Sequence, residues 1–240
     1  MSNVVGYINK LIPFSSVDGP GNRFAIFLQG CRFNCWYCHN PETIPLSHNA
    51  EGEILQMTAE EVMQEVRKVQ SFIRGITVSG GECTLQKEFL IELFLLAKAE
   101  GLGTLIDTNG VLSFSKEPEL LAVADGVMLD VKAVDEREHQ KLTGVHNRTV
   151  LENLDFLVSV GKLAEVRTVI SLGFNNANTV TYVAKTLAAI DHSILYKLIK
   201  YRSHGVRSEF LSKLKRPSDE DMKELQEIAC SQGLSNVMIV

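Results

Sequence analysis

From about Ile73 onward, short β-branched runs alternate with longer stretches in which apolar residues return every three or four positions. Gly75-Ile76-Thr77-Val78-Ser79 reads as a strand, 87–100 as a helix and Gly103-Thr104-Leu105-Ile106-Asp107 as the next strand. Further strands are expected over 127–131, 165–170, 194–199 and 236–240, with helices over 135–142, 149–160, 179–190 and 219–229. Upstream, Arg23-Phe24-Ala25-Ile26-Phe27-Leu28 is a strand, and a helix over 59–72 is capped by Thr58 with Glu61 at the capping-box position. Strand-helix-strand repetition implies parallel pairing through right-handed crossovers. Six or so such units suit an open or closed α/β barrel better than a sandwich. Without a low-complexity linker or a fixed-period repeat, 1–240 is expected to be a single domain.

In parallel α/β sheets the ligand site lies beyond the carboxyl ends of the strands. Those ends read Gln29-Gly30-Cys31, Gly80-Gly81-Glu82, Thr108-Asn109-Gly110, Asp130-Val131-Lys132, Ser171 and Lys200-Tyr201-Arg202. The opposite ends offer mainly Gly, Leu and Ala. This asymmetry places the chemistry at one mouth.

Composition narrows the function classes. The 240 residues carry 24 Lys+Arg against 29 Asp+Glu, a net charge of −5, and 45% are hydrophobic. That is ordinary globular composition, and the acidic balance with no basic run argues against nucleic acid or an anionic membrane as partner. No apolar stretch approaches the roughly 20 residues of a membrane span, and residues 1–6 have no signal-like core, so a cytoplasmic protein is expected. Five cysteines, three of them clustered, suit metal binding or redox chemistry better than a disulfide framework.

The cluster Cys31-x3-Cys35-x2-Cys38 delivers three thiolates from one loop directly after the first strand. Three soft ligands suit a cubane iron–sulfur cluster with one iron left open to a reactant. They equally suit a zinc site completed by His39 or His48, and spacing alone leaves the two even. Gly80-Gly81-Glu82 after the next strand favours iron–sulfur.

The other polar positions are weaker signals. Gly80-Gly81 lets a backbone approach a ligand closely, or simply makes a tight turn. Glu82 could cap the following helix. Asp107 and Asp130 could form a cation or hydroxyl site, or cap turns. Lys132 shares a face with Asp130 and could neutralise it or hold a carboxylate. Arg167, inside an apolar strand, is expected to face a polar interior. Cys83 and Cys230 are expected to be small buried apolar residues.

These residues resemble a known family. Cys31-Arg32-Phe33-Asn34-Cys35-Trp36-Tyr37-Cys38-His39-Asn40 resembles the cluster loop of the radical S-adenosylmethionine (SAM) superfamily. Val17-Asp18-Gly19-Pro20-Gly21-Asn22-Arg23, Ser79-Gly80-Gly81-Glu82, Asp107-Thr108-Asn109-Gly110 and Met128-Leu129-Asp130-Val131-Lys132 resemble the glycyl-radical enzyme activating enzymes of the pyruvate formate-lyase activating type. The match runs in order from about Ser15 to Lys132 and is looser beyond Ser171.

The resemblance implies a partial (β/α)6 barrel with one open mouth, in which 30–40 is the cluster loop and 201–240 completes the barrel. It implies a [4Fe–4S] cluster on Cys31, Cys35 and Cys38, and SAM as cosubstrate. The 5′-deoxyadenosyl radical released from SAM would remove a hydrogen from one glycine of a partner glycyl-radical enzyme. Carried over by position, Gly80, Gly81 and Glu82 would bind the methionine end of SAM, and Tyr37 and His39 would flank adenine. Lys132 would meet the SAM carboxylate beside Asp130. Asp107, Thr108, Met128 and Asp130 match a monovalent-cation site, and Asp18 matches a contact to the glycyl peptide. A flavodoxin or ferredoxin would donate the electron, and a monomer is the default for this architecture.

The sequence departs from the family pattern twice. Residues 41–57 hold no cysteine, so the ferredoxin-like insert of many activases is missing and the chain carries one cluster. Where a ribose-binding histidine is expected, Arg202 stands, with His204 two residues later. The alternative function is a radical SAM enzyme acting on a small molecule, similar to the carboxy-deazaguanine synthases.

Overall fold

The computed structural model describes residues 4–46 and 54–240. Its elements, in chain order, are β1 (Val5–Ser15), β2 (Arg23–Leu28), β3 (Leu55–Thr58), α1 (Ala59–Arg67), β4 (Gly75–Gly80), α2 (Lys87–Ala99), β5 (Gly103–Thr108), α3 (Pro118–Val123) and β6 (Gly126–Asp130). There follow α4 (Glu136–Thr143), α5 (Arg148–Ser159), β7 (Leu163–Ile170), α6 (Asn176–Ala188), β8 (Leu195–Lys200), α7 (Ser208–Leu211), α8 (Asp219–Ser231) and β9 (Val237–Ile239).

The chain divides into two compact units, with the boundary inside β6 between Met128 and Leu129. The first comprises the described residues of 1–32, 42–108 and 116–128. Its strands run β3-β1-β2-β4-β5-β6. β2 pairs parallel with β4 (Phe24↔Ile76, Ile26↔Val78), and β4 pairs parallel with β5. Parallel strands covered on both faces read as near-continuous apolar runs, and Phe24, Ala25, Ile26, Ile76, Val78 and Ile106 are all fully buried.

The capping box forms: the Glu61 N–H donates to Thr58 Oγ1 at 3.3 Å, and the Thr58 N–H donates to the Glu61 carboxylate at 2.7 Å. The helix expected over 59–72 nevertheless stops at Arg67. The Lys68 and Val69 N–H groups turn to carbonyls three residues back, Glu65 and Val66, which tightens the last turn. A separate 3-10 turn, Gln70–Phe72, follows, and Phe72 projects into solvent, so no apolar stripe holds a longer helix.

Two strands had no legible pattern. β1 pairs antiparallel with β2 on one side and with β3 on the other. Pro13 interrupts β1, and it falls within the register shift between Ile12 and Ser15, where no ladder donor is needed. β3 has four residues and buries none of them.

The second unit comprises 33–41, 109–115 and 129–240. From the end of β6 its strands run to β7, β8 and β9. β7 pairs parallel with β8 and β8 with β9, and α6 packs on α8. Thr168 Oγ1, on β7, donates to the Val131 carbonyl at 2.8 Å and lies 2.9 Å from the buried Tyr196 hydroxyl of β8. In the strand order β3 stands at the end within the first unit and β9 at the end within the second. Among the described residues no helix is long and apolar enough to cross a membrane.

Candidate functional site

In the first unit the polypeptide leaves β2 and is held by a returning segment. The Gly30 N–H donates to the Thr43 carbonyl (2.9 Å) and the Cys31 N–H to the Ile44 carbonyl (3.0 Å). The Gln29 amide donates to the carbonyls of Glu42 (2.9 Å) and Pro45 (2.8 Å). The turn after β4 crosses the same backbone, with the Gly81 N–H on the Leu28 carbonyl and the Glu82 N–H on the Gly30 carbonyl.

That crossing explains the double glycine. A Cβ on Gly80 would stand 2.2 Å from the Leu28 backbone, and its φ of +118° suits glycine alone. A Cβ on Gly81 would stand 2.4 Å from the Gly30 oxygen and 2.5 Å from the Thr43 oxygen. Close approach is required, first of all between the chain's own backbone segments.

Glu82 is buried, and its Oε1 accepts from Thr84 N–H (3.0 Å), Thr84 Oγ1 (2.6 Å) and Thr108 Oγ1 (2.7 Å). The carboxylate therefore caps the following 3-10 turn, Cys83–Gln86, and ties it to the end of β5. Asp107, one residue earlier on β5, accepts from Ser79 Oγ at 2.9 Å. Thr108 and Met128 are buried. Asp18 accepts a very short hydrogen bond from Ser15 Oγ on its carboxylate, and its carbonyl accepts from Thr77 Oγ1 at 2.6 Å. The 15–18 turn is thus pinned to β4.

In the second unit the last-turn carbonyls of α4, which lack helical partners, hold the cysteine loop. The Asn34 N–H donates to Thr143 O (2.8 Å) and the Trp36 N–H to Leu142 O (2.9 Å). The Cys38 N–H closes a tight turn on the Cys35 carbonyl at 3.2 Å. Burial pushes the Cys35 thiol up to about 11, against the pull of Lys132, so at neutral pH it carries its proton. Tyr37 is buried, its hydroxyl has no hydrogen-bond partner among the described residues, and burial raises its phenol. Lys132 Nζ lies 5.7 Å from the Tyr37 ring centre and 2.8 Å from Asp130 Oδ2. Lys132 therefore neutralises Asp130, and although burial opposes the charge, Asp130 keeps the ammonium protonated, well above its ordinary value.

A segment 163 to 172 residues downstream in sequence braces the same loop. His39 Nε2 donates to the Arg202 carbonyl at 3.1 Å, and Arg207 donates to the Cys35 carbonyl at 3.2 Å. A Cβ on Gly205 would stand 2.2 Å from the His39 oxygen. The Arg202 and His204 side chains are exposed. Arg167 faces Glu165 in an ion pair, and Lys197 of β8 reaches the same carboxylate at 2.8 Å, so the charge inside this apolar strand is compensated. Arg207 and the α4 carbonyls carried no sequence signal, because each acts through a backbone contact that only the fold creates.

Cys83 is buried, as expected, and donates to the Asp107 carbonyl. Cys230 is exposed on α8, a correction to the expected burial. No disulfide joins any of the five cysteines. Of the residues weighed for zinc, His39 spends Nε2 on Arg202, and His48 lies outside the described residues. Among the described residues no three His, Cys, Asp or Glu side chains are preset for one metal ion. The thiolates of a cubane each take a different iron, so such convergence is not a condition for one.

Beneath the loop, His139 packs edge-on against Phe33 and donates from Nδ1 to Val145 O at 2.8 Å. Burial pulls its imidazole down from 6.5 to about 4. The folded form is neutral while the unfolded chain takes up a proton near the ordinary value. Its contribution is complete above about pH 6.5 and is lost as pH falls toward 4. In urea titrations, the stability gap between wild type and His139→Gln is expected to narrow across that window. A gap independent of pH would refute the neutral buried imidazole.

Residues 25–185 match the family model described as the Radical SAM superfamily. The pyruvate formate-lyase-activating enzyme of Streptococcus mutans is 41% identical over 183 residues, 72% of this chain and 68% of that protein. A Haemophilus influenzae protein, provisionally named a glycyl-radical enzyme activating enzyme, is 33% identical over 264 aligned positions, covering 100% of this chain and 98% of that one. Among solved structures, a domain of pyruvate-formate lyase-activating enzyme from Bacteroides vulgatus superposes with a TM-score of 0.59 at 24% identity, covering 69% of this chain and 98% of that domain.

Proposed function

Because the chain belongs to the radical SAM superfamily and, within it, to the activating enzymes of glycyl-radical enzymes, we propose that it installs the glycine-centred radical in one such partner enzyme. The observation that carries the reading is the cysteine loop: Cys31, Cys35 and Cys38, none in a disulfide, on a loop whose backbone is held at Gly30, Cys31, Asn34 and Trp36. The fit to a cubane rests on this donor set, three soft thiols with the middle one buried. When bound, the cluster and SAM supply a one-electron reductive cleavage whose 5′-deoxyadenosyl radical takes a hydrogen from the partner's glycine.

The chain's own residues hold and position the reactants. Cys31, Cys35 and Cys38 are the ligands of the [4Fe–4S] cluster. Gly80, Gly81 and Glu82 receive the methionine end of SAM, Glu82 as an acceptor for its ammonium. Lys132 meets the SAM carboxylate with the donors left over from Asp130. Tyr37 and His39 flank adenine, and either Arg202 or His204 reaches the ribose. Asp107, Thr108, Met128 and Asp130 hold a monovalent cation, which relieves the repulsion between two aspartates and a carboxylate. We assign the protein to the cytoplasm, as a monomer served by a low-potential flavodoxin or ferredoxin. The carboxy-deazaguanine-synthase-like alternative is not favoured, since the sequence relatives at 33–41% identity carry activating-enzyme names.

Anaerobically reconstituted protein with dithionite should convert SAM to 5′-deoxyadenosine. With its partner it should produce a glycyl-radical signal by electron paramagnetic resonance. SAM cleavage stimulated by a small metabolite, with no radical on any glycyl-radical enzyme, would sink the activase reading.

Asp18→Ala is expected to keep SAM cleavage without partner and to lose at least about ten-fold in partner activation, since its carboxylate serves the incoming peptide. Loss of both would reassign Asp18 to holding the 15–18 turn.

A further inference from the structure

We propose that the cationic aromatic patch around Trp36 is the docking surface for an acidic one-electron carrier protein, a proposal that rests on the activase reading above. Trp36 is the chain's single tryptophan and sits between the second and third cysteines of the loop. Its ring stacks on Phe210 (5.4 Å, 14° between planes) and meets Phe174 edge-on at 6.3 Å. Three cations rim this platform. Lys213 Nζ lies 5.0 Å from the Trp36 ring centre and 5.1 Å from that of Phe210. Lys141 Nζ lies 5.5 Å from Trp36 and 5.6 Å from Phe174, and the Arg207 guanidinium lies 4.6 Å from Phe210.

Lys141 and Lys213 are exposed, and neither has a carboxylate partner among the described residues. Arg207 has Glu209 at 3.8 Å, a long contact. These cations concentrate positive charge locally on a chain of net charge −5, and the field of such a patch favours an acidic partner. The lysines rest on ring faces, which orders their ammonium groups while leaving them open to solvent.

Position identifies what the partner brings. Trp36 follows Cys35 directly, so their Cα atoms are about 3.8 Å apart. Arg207, part of the rim, donates to the Cys35 carbonyl at 3.2 Å. A protein seated here stands within a residue or two of a cluster ligand. Short distance to the redox centre is what an electron donor needs. Small, electrostatically steered interfaces also suit redox encounters, which must form and dissociate quickly. In each encounter the carrier is oxidised by one electron and this enzyme is reduced by one; no bond forms or breaks.

The test is anaerobic calorimetric titration of the holoenzyme with oxidised flavodoxin at low and high salt. Wild type should bind, and binding should weaken steeply with salt. Lys141→Glu/Lys213→Glu should bind at least about ten-fold more weakly at low salt and with a flatter salt response. Lys141→Gln/Lys213→Gln should fall between the two, which separates charge from misfolding. All variants should make 5′-deoxyadenosine from SAM at the wild-type rate with dithionite, a reductant that needs no docking surface.

Unchanged flavodoxin binding in the charge-reversed variant overturns the proposal. So does intact flavodoxin binding combined with lost partner activation under dithionite, which would give the patch to the glycyl-radical enzyme instead. Failure of wild type to cleave SAM with dithionite would sink the activase reading and the docking proposal with it.

Discussion

A Cys35→Ala variant is expected to form no 5′-deoxyadenosine above background and to bind well under the wild-type iron and sulfide. Cys35 is buried, and its carbonyl is bonded by the Cys38 N–H and by Arg207. These are backbone contacts that alanine preserves. The loop should therefore keep its shape while losing one of three thiolates, and a cubane with two protein ligands is not retained. Removing the sulfur also leaves a small void, costing about 1–2 kcal/mol, so far-UV circular dichroism should be unchanged at 25 °C. The same loss is expected at Cys31 and Cys38. Cys83→Ala and Cys230→Ser should retain SAM cleavage, because neither thiol belongs to the loop. Iron-replete, SAM-cleaving Cys35→Ala protein would remove this residue from the ligand set.

Gly81→Ala is expected to lower stability by about 3 kcal/mol, from a Cβ forced into packed backbone. For a chain of this size that corresponds to a fall in Tm of about 10 °C. The obstacles are the Gly30 and Thr43 oxygens, 2.4 and 2.5 Å from the new Cβ. Both are main-chain atoms, so no side chain can rotate away. Relief must come from separating the turn after β4 from the Gly30–Cys31 backbone, which the Glu82 N–H to Gly30 carbonyl bond now joins. SAM cleavage should fall with stability, because displacing Gly30 moves Cys31. Gly144→Ala provides the comparison: φ is +80° there, but a Cβ meets nothing within 4 Å. Only backbone strain of about 1 kcal/mol is expected. Equal Tm shifts for the two variants would refute the crossing-backbone account and leave left-handed strain as the cause at Gly144 alone.

The strand and helix pattern was legible where local chemistry and burial agree. β2, β4, β5 and β7 are short, largely apolar runs followed or closed by Gly, Thr, Gln or Ser, and all four lie within two residues of where periodicity places them. Thr58 and Glu61 form the expected capping box because every atom it needs lies within four residues. β1 was illegible for the opposite reason. Its alternation is interrupted at Gly6 and Pro13, and only pairing to the neighbouring β2 on one side and to the more distant β3 on the other makes it a strand.

The site divides in the same way. The grouping of Cys31, Cys35 and Cys38 was readable because the spacing of three thiols within one loop is a property of sequence. The roles of Glu82 as a cap bonded to Thr84 and Thr108, and of Lys132 as partner of Asp130, had been among the open alternatives. Geometry shows that both contacts are made.

By itself the order of residues determined which groups are offered together: three thiols in eight positions, a Gly-Gly-Glu turn, and acids and a lysine at strand ends. These are short-range patterns, and a short peptide segment already specifies them. Only the tertiary structure decided what braces the loop. The α4 carbonyls, His39 on Arg202 and Arg207 on Cys35 join residues separated by about a hundred positions or more, through backbone groups that every sequence possesses. A main-chain carbonyl has no signature in the amino-acid code, so the partners it acquires are known only once the chain has folded.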